Sequence, residues 1–265
     1  MSTKFTEELI QKRIAEGYGQ GELENYKPWL TVNDVTSSNS RAHKVFSWKI
    51  NRIHHLLSDN EFNYFVCLEW LDEVIDIREQ YPLDRAKTIP IAERIGIKHP
   101  FQDGTHYVMS TDFLITLHDG KNYARTFKPA NDLENESVIK KFQIEQIYWQ
   151  EEGVDWGVVT ETELDMIFVN NLIDLRQFID FIATQDISGL FVEQLIKEIV
   201  ASDSRLIEVF NRLDIDFNQK VGTALSVYKC LIINKVISID LSKPFSVQNS
   251  CKTVVVDMDS EEKLA

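Results

Sequence analysis

Apolar and polar positions along the chain change period several times, and the changes mark out its elements. Near the start, Leu9, Ile10 and Ile14 fall on one face of a helix predicted over 6–16. It stops before Gly17-Tyr18-Gly19-Gln20-Gly21, a run that reads as a loop; a dinucleotide fingerprint needs a strand before the glycines and a helix after them. Two short β-prone runs follow, 44–48 and 52–56, joined by Lys49-Ile50-Asn51, and predict a hairpin. Ser58-Asp59-Asn60-Glu61 then opens a helix carrying Phe62, Phe65, Val66 and Leu68. A strand is predicted over 73–81, stopped by Pro82, and 91–97 reads as a looser stretch. A second hairpin is clearer: 107–117, a turn over 118–122, and 123–127, ended by Pro129. Val138, Ile139, Phe142, Ile144 and Ile147 predict a long helix over 134–150, and 155–160 is the next short strand. From residue 61 onward the predicted order is helix, strand, strand, strand, helix, strand.

Beyond Leu164 the texture turns helical, with helices predicted over 165–183, 191–200, 204–212 and 221–234. Two strands, 236–241 and 253–257, flank a Ser-Lys-Pro turn and the segment after it. Helices followed by a small β wing suggest a winged-helix-like module. The reading is therefore an α/β protein of two domains, 1–163 and 164–265, the second mostly helical. Its 265 residues, 43% of them apolar and 26% charged, suffice for two packed cores. The acidic end, 257–265, is expected to be mobile.

No apolar run approaches the roughly 20 residues that cross a bilayer, and 1–16 has no apolar stretch of the secretory kind. A soluble, cytoplasmic protein without membrane contacts is expected. Cys67, Cys230 and Cys251 match neither a disulfide framework nor a paired CxxC knuckle, so structural zinc is not expected.

Charge changes the picture further. Twenty-eight Lys and Arg face 42 Asp and Glu, a net charge of -14. Autonomous duplex binding draws its affinity from neutralised phosphates and wants a basic excess. Tight unaided DNA binding is thus disfavoured. One stretch runs the other way: 36–58 holds no acid, while Arg41, Lys44, Lys49 and Arg52 make it electropositive and the candidate DNA-binding segment.

Candidate chemistry lies in the second hairpin. Hydrolysis of a phosphodiester needs carboxylates to hold one or two Mg²⁺ ions, and gains from a cation beside the attacking water. One solution sets an Asp on one strand and an acid-x-Lys pair on the next, the acid and Lys sharing a face because side chains alternate. Here Asp112 lies on the first strand, Thr126-Phe127-Lys128 on its partner, and Glu61 on the preceding helix. The element order is that of the PD-(D/E)xK, or restriction-endonuclease-like, nuclease core. Thr126 stands where that motif has an acid and offers only a neutral oxygen as a metal ligand. Blander readings exist as well. Ser58-x-x-Glu61 is a capping box, Lys128 can be solvated, and Glu145 can be a surface residue. Asp112, within an apolar strand, is harder to explain without a partner. His54 and His55 alternate across a strand and so do not face one metal.

Several motifs resemble the TnsA family, the endonuclease subunits of heteromeric Tns-type cut-and-paste transposases. They are Arg13-Ile14-x-Glu16-Gly17-x-Gly19-Gln20-Gly21, Tyr26-x-Pro28-Trp29-Leu30-Thr31-Val32, Arg52-x-His54-His55-Leu56-Leu57-Ser58-Asp59-x-Glu61 and Leu68-Glu69-Trp70. Asp76-Ile77-Arg78-Glu79-Gln80-Tyr81-Pro82-Leu83, Gly96-Ile97-Lys98-His99-Pro100, Met109-Ser110-Thr111-Asp112-Phe113-Leu114, Lys128-Pro129-Ala130 and Tyr148-Trp149-Gln150 continue the series. The resemblance covers roughly residues 10 to 160 and is looser beyond. It implies a restriction-type nuclease that cuts the 5′ strand at transposon ends while an integrase-type subunit, TnsB, cuts and joins the 3′ strand. It also implies Glu61, Asp112 and Lys128 as catalytic residues, Glu61, Asp112 and Thr126 as metal positions, and Glu145 as a possible additional site residue. Thr126 departs from the Gln of the family. Mg²⁺, replaceable by Mn²⁺, is the implied cofactor; transposon-end DNA, TnsB and, through the C-terminal domain, the ATP-dependent regulator TnsC are the implied partners. A different class of reading is a non-catalytic nuclease-fold scaffold bridging TnsB to TnsC. An independent nuclease that cuts plain duplex is disfavoured by the charge.

Overall fold

The computed structural model describes residues 5–34, 41–102 and 104–256; the acidic end at 257–265 lies outside them. The chain divides into two compact units, Met1–Leu164 and Asp165–Ala265. Both mix helices with short or long strands, and no described helix is long and apolar enough to cross a membrane.

The first unit begins with α1 (Glu7–Ala15), capped by the Thr6 side chain, and a hairpin of β1 (His43–Ser47) and β2 (Arg52–Leu56). Next come α2 (Asp59–Trp70), β3 (Val74–Pro82) and α3 (Arg85–Arg94). A two-residue pair, β4 (Phe101–Gln102) and β5 (Thr105–His106), precedes β6 (Ser110–Leu117), β7 (Asn122–Phe127), α4 (Glu136–Glu151) and β8 (Asp155–Val159). From α2, the order helix, strand, strand, strand, helix, strand is present, with α3 and the β4–β5 pair inserted after the first strand.

Four of these strands form one sheet in the order β3-β6-β7-β8, antiparallel except for the parallel pair β7 and β8. On one face Leu114 and Ala124 pack with Leu83, just after β3, with Ile91 and Ala92 of α3, and with Ile144, Tyr148 and Trp149 of α4. On the other, Phe113 and Phe127 meet the Tyr64 ring of α2 at centroid distances of 5.5 and 6.2 Å.

Where the sequence predicts a looser stretch over 91–97, the structure has helix α3, with Pro90 inside it. Proline lacks the N–H that would reach back one turn, and its ring crowds the carbonyl there. Burial of Ile91 and Ala92 against α4 outweighs that cost. Local propensity could not reveal it, because the compensation comes from a helix fifty residues away.

The second unit comprises α5 (Met166–Leu175), α6 (Phe181–Thr184), α7 (Gly189–Ala201), α8 (Leu206–Asp216) and α9 (Thr223–Ile233). Its β part is smaller than predicted: β9 (Ile237–Ser238) pairs with β10 (Val255–Val256) over two residues each. Phe191, Leu195, Val209, Phe210, Val227 and Leu231 form its interior.

Candidate active site

The site begins as a break in the sheet. β6 and β7 pair from Thr116↔Asn122 up to Phe113↔Arg125 and no further. Beyond that point β6 continues alongside β3, to Pro82↔Ser110, and β7 alongside β8, to Phe127↔Val159. Asp112 fills the opening: its Oδ2 accepts the Phe127 N–H at 2.8 Å, in place of the carbonyl a continued ladder would provide. The parting strands open a cleft of about 530 Å³.

Side-chain alternation also breaks here. Phe113 lies on the α2 face, yet Thr111, two residues earlier, donates to Glu145 Oε1 of α4 at 2.6 Å and accepts the Trp149 Nε1–H at 2.7 Å. In a regular strand the two would share a face. Opposite Asp112 sits Gln80, whose φ of +48° lies in the left-handed region that non-glycine residues seldom enter. Its conformation resets the alternation in the neighbouring strand, with Glu79 buried against the hairpin and Tyr81 against Trp149. Thr126 thus faces α4, where its hydroxyl donates to Glu145 Oε1, and not the side of Asp112 that Glu61 approaches. The expectation that alternation alone aims the motif at one point is corrected accordingly.

Glu61 arrives from α2. It is the third residue of the helix, and its carboxylate accepts Ser58 Oγ–H at 3.1 Å and the Leu57 N–H at 2.9 Å while Ser58 Oγ caps the Glu61 N–H. The Ser58 cap is present, with the return bond taken from the Leu57 N–H and the Ser58 hydroxyl and not from the Ser58 N–H, and it does not compete with a site role: the same bonds hold the carboxylate at the cleft wall. Gln80 joins it to Asp112, its Nε2 donating to Asp112 Oδ1 at 3.1 Å and to Glu61 Oε2 at 3.5 Å. Glu61, Asp112, Thr126, Lys128 and Glu145 all line the cleft. The predicted catalytic and metal residues thus all line one cleft, with Thr126 bonded to Glu145 and not to Glu61 or Asp112.

Electrostatics follow from burial. Glu61 is 8% exposed, and desolvation, then the charge of Asp112, raises its carboxyl well above the ordinary range. Asp112 is raised too, by burial, although the Phe127 N–H, Gln80 and the charge of Lys128 pull it back. Glu145 is pushed up to about 7 by burial, against the opposing hydroxyls of Thr111 and Thr126. The Lys128 ammonium is half-buried at the cleft and lies 3.5 Å from Asp132. Two buried acids, Glu61 and Glu145, and the half-buried Asp112 face one cleft and leave a deficit of positive charge that one lysine does not cover. Hard oxygen donors of this kind suit a small divalent cation, which takes one or two carboxylates and keeps several waters. Among the described residues no group of three His, Cys, Asp or Glu is placed to ligate one ion.

The electropositive segment is only partly available. Arg41 and Lys44 are exposed, and Lys49 is exposed with its ammonium on the Leu71 carbonyl. Arg52 is not a surface residue. It is 7% exposed and forked onto Glu79, Nη1 to Oε1 at 2.9 Å, with Nη2 also on the Ile77 carbonyl at 2.6 Å. His54 Nδ1 meets the same carboxylate at 2.9 Å, and the His55 N–H donates to it at 3.0 Å. Its neighbours hold the Glu79 carboxyl far below the usual range despite complete burial. Arg52 is thus corrected from DNA contact to counterion, because β2 turns it toward the sheet.

Sequence reading missed several cleft residues. Phe5, Trp29, Leu30 and Asp34 of the N-terminal segment form one wall, and Lys141 lies one helical turn before Glu145. Gln80 is buried behind the cleft with its amide on Glu61 and Asp112, and nothing local distinguishes it from any strand glutamine.

Comparison with known proteins decides the family. Residues 71–161 match the model of the TnsA-like endonuclease N terminal domain, and residues 163–241 that of the TnsA endonuclease C terminal domain. The chain is also 37% identical to transposon Tn7 transposition protein TnsA of Escherichia coli, over 97% of this chain and 96% of the relative. The chain belongs to the TnsA endonuclease family. Family membership makes it a nuclease of the transposition machinery, and the cleft lies wholly within the unit matched by the N-terminal domain model and the segment before it.

Proposed function

We propose that this TnsA-family chain is the divalent-cation-dependent endonuclease of a heteromeric transposase and cuts the 5′, non-transferred strand at transposon ends, so that the element leaves by cut-and-paste. The observation that carries the reading is the convergence of Glu61, Asp112, Lys128 and Glu145 on one cleft where the central strands part.

In this reading Glu61 and Asp112 hold Mg²⁺, for which Mn²⁺ substitutes, and Thr126 contributes at most through its hydroxyl. When bound, the cation polarises the scissile phosphate and lowers the pKa of water. Lys128 orients the attacking water and faces the charge that builds on the phosphate oxygens. Glu145, with a pKa near neutrality, is suited to receive a proton at Oε2, since Oε1 is held by the two threonine hydroxyls. Thr126 and Glu145 together supply at this position what a single acid supplies in the general motif: the carboxylate comes from the helix, and the strand residue secures it.

The fold of the first unit is read as restriction-endonuclease-like and that of the second, from its helices and its β9–β10 pair, as a winged-helix-like module that docks TnsC. With a net charge of -14 the chain depends on TnsB to be delivered to transposon-end DNA in the cytoplasm. Of the basic stretch, Arg41 and Lys44 are exposed and read as facing that DNA, with Lys49 beside them on the Leu71 carbonyl.

Mapping strand breaks on transposon-end DNA with TnsB and Mg²⁺ tests the reading. Wild type is expected to give 5′ breaks and Asp112→Asn none. Absence of 5′ breaks with both proteins, while 3′ breaks persist, would make the chain a scaffold between TnsB and TnsC.

A further inference from the structure

Gln80 is 3% exposed, carries the left-handed backbone opposite Asp112, and places its carboxamide between the two carboxylates read above as the metal pair. Its backbone is clamped. The Trp29 N–H donates to the Gln80 carbonyl at 3.2 Å, and Tyr26 Oη donates to the Glu79 carbonyl at 3.0 Å. The backbone is therefore held in place, and the terminal amide can still turn about its last side-chain bond. On the far side of that amide, Ser110 Oγ donates to Gln80 Oε1 at 3.0 Å.

These contacts have a consequence for any cation shared by Glu61 and Asp112. The amide N–H₂ sits where the two carboxylates converge, and a donor there is repelled by a cation. A half-turn about the last side-chain bond exchanges the N–H₂ for Oε1. Ser110 tolerates the exchange, because a hydroxyl donates to Oε1 in one orientation and accepts from N–H₂ in the other. The acidic side chains supply two ligands and the described residues no third carboxylate within reach; a glutamine oxygen is a hard donor suited to the same small cation.

We infer that Gln80 is the third protein ligand of the site: its amide bridges Glu61 and Asp112 when no cation is present and turns to present Oε1 when one binds. The inference rests on the reading of Glu61 and Asp112 as the metal pair and adds a residue and a motion to it. Gln80 then sets metal affinity directly, and its left-handed backbone is the cost of bringing an uncharged oxygen to that point.

The test is calorimetric titration of the full chain with Mn²⁺ for wild type, Gln80→Met, Gln80→Glu and Asp112→Asn. Neither replacement at position 80 is β-branched, so each meets the backbone as glutamine does. Asp112→Asn is expected to lose the site. Gln80→Met, of similar length and without the oxygen, is expected to bind Mn²⁺ at least tenfold more weakly, and Gln80→Glu, which cannot donate but can ligate, at least as tightly as wild type. A spacer that merely holds the carboxylates apart would make both position-80 variants weak; that pattern, or wild-type affinity in Gln80→Met, overturns the inference and leaves the metal pair standing. Wild-type affinity in Asp112→Asn, or no binding by wild type, removes the pair and the inference with it. Should Gln80→Met not fold, the wild-type chain decides: the Gln80 side-chain carbonyl carbon resonance is expected to shift on Mg²⁺ addition, and an unmoved resonance overturns the proposal.

Discussion

Asp112 concentrates the chemistry of single residues in this protein. Burial raises the carboxyls of Glu61, Asp112 and Glu145, so the folded state holds protons there more tightly than the unfolded chain does. The sign follows directly. Their contribution to stability is fully present below the ordinary carboxylate range and is lost as pH rises through the raised values. Without metal, the melting temperature should fall between pH 5 and pH 8 as these acids ionise; a divalent cation, which binds the ionised forms, should raise it more at pH 8 than at pH 6. Thermal melts with and without Mg²⁺ at the two pH values check this, and an equal gain at both would separate the cation from these carboxyls. Asn at position 112 keeps an acceptor for the Phe127 N–H and removes the charge. Asp112→Asn should melt higher than wild type without metal, lose the response to Mg²⁺ and lose 5′-strand cleavage. Arg52 is the opposite case, a charge whose value lies entirely in its partner. Arg52→Ala would leave Glu79 buried beside His54 alone, a change that costs about 3 to 5 kcal/mol. Urea unfolding should register the loss, and a shift within experimental error would mean that His54 alone compensates Glu79.

At the scale of elements, the site depends on where three of them end or part. The N-terminus of α2 is closed by Ser58 and Glu61 acting on each other, so one local motif both starts the helix and aims a carboxylate. Ser58→Ala should cost about 1 kcal/mol through the lost cap. It should also weaken Mn²⁺ binding several-fold, because one of the bonds orienting Glu61 goes with it; a stability loss with unchanged metal affinity would show that Leu57 suffices to hold the carboxylate. The split between β6 and β7 is the second device, held open by a side chain acting as a ladder acceptor. The third is α4, which brings Glu145 to the side of the sheet where Thr126 lies. Of these, the helix starts were legible in sequence because Ser58-x-x-Glu61 is a local signal. The split was not, since it arises from competition among three strands for hydrogen bonds.

At the scale of the whole molecule, the chain divides into two units with separate interiors. Leu172, Leu195, Phe210 and Leu231 are buried within the second unit, which has an apolar core of its own. A fragment of residues 165–265 should therefore melt cooperatively by circular dichroism; a featureless melt would show that its fold requires the rest of the chain. The acidic balance belongs to this scale also. Counterion release scales with phosphates neutralised, so the isolated chain should bind duplex weakly and with a shallow salt dependence. A steep salt dependence in a fluorescence titration without TnsB would contradict delivery by a partner.

Much of this protein was determined along the chain itself. Periodicity and caps predicted α1, α2, α4 and the 107–127 hairpin within a few residues, because those signals act between neighbours and need no tertiary support. Glu61, Asp112 and Lys128 were candidates on residue type and spacing, since metal-assisted hydrolysis restricts the residue types that serve it, whereas Glu145 read locally as a surface residue and only the packing of α4 buries it. What tertiary structure alone decided was direction and company. Arg52 and Lys44 are two cations of one basic stretch, and only packing shows that one faces Glu79 and the other water. Pro90 marks a break by local rules, yet α3 runs through it because burial against α4 outweighs the missing bond. Gln80 is an ordinary strand residue on paper, and its place between two acids comes from a left-handed backbone held by Tyr26 and Trp29, more than fifty residues earlier. Chemistry of single side chains and periods of a few residues are local quantities; the strain, the charge pairing and the parting of strands are settled only when distant segments share one interior.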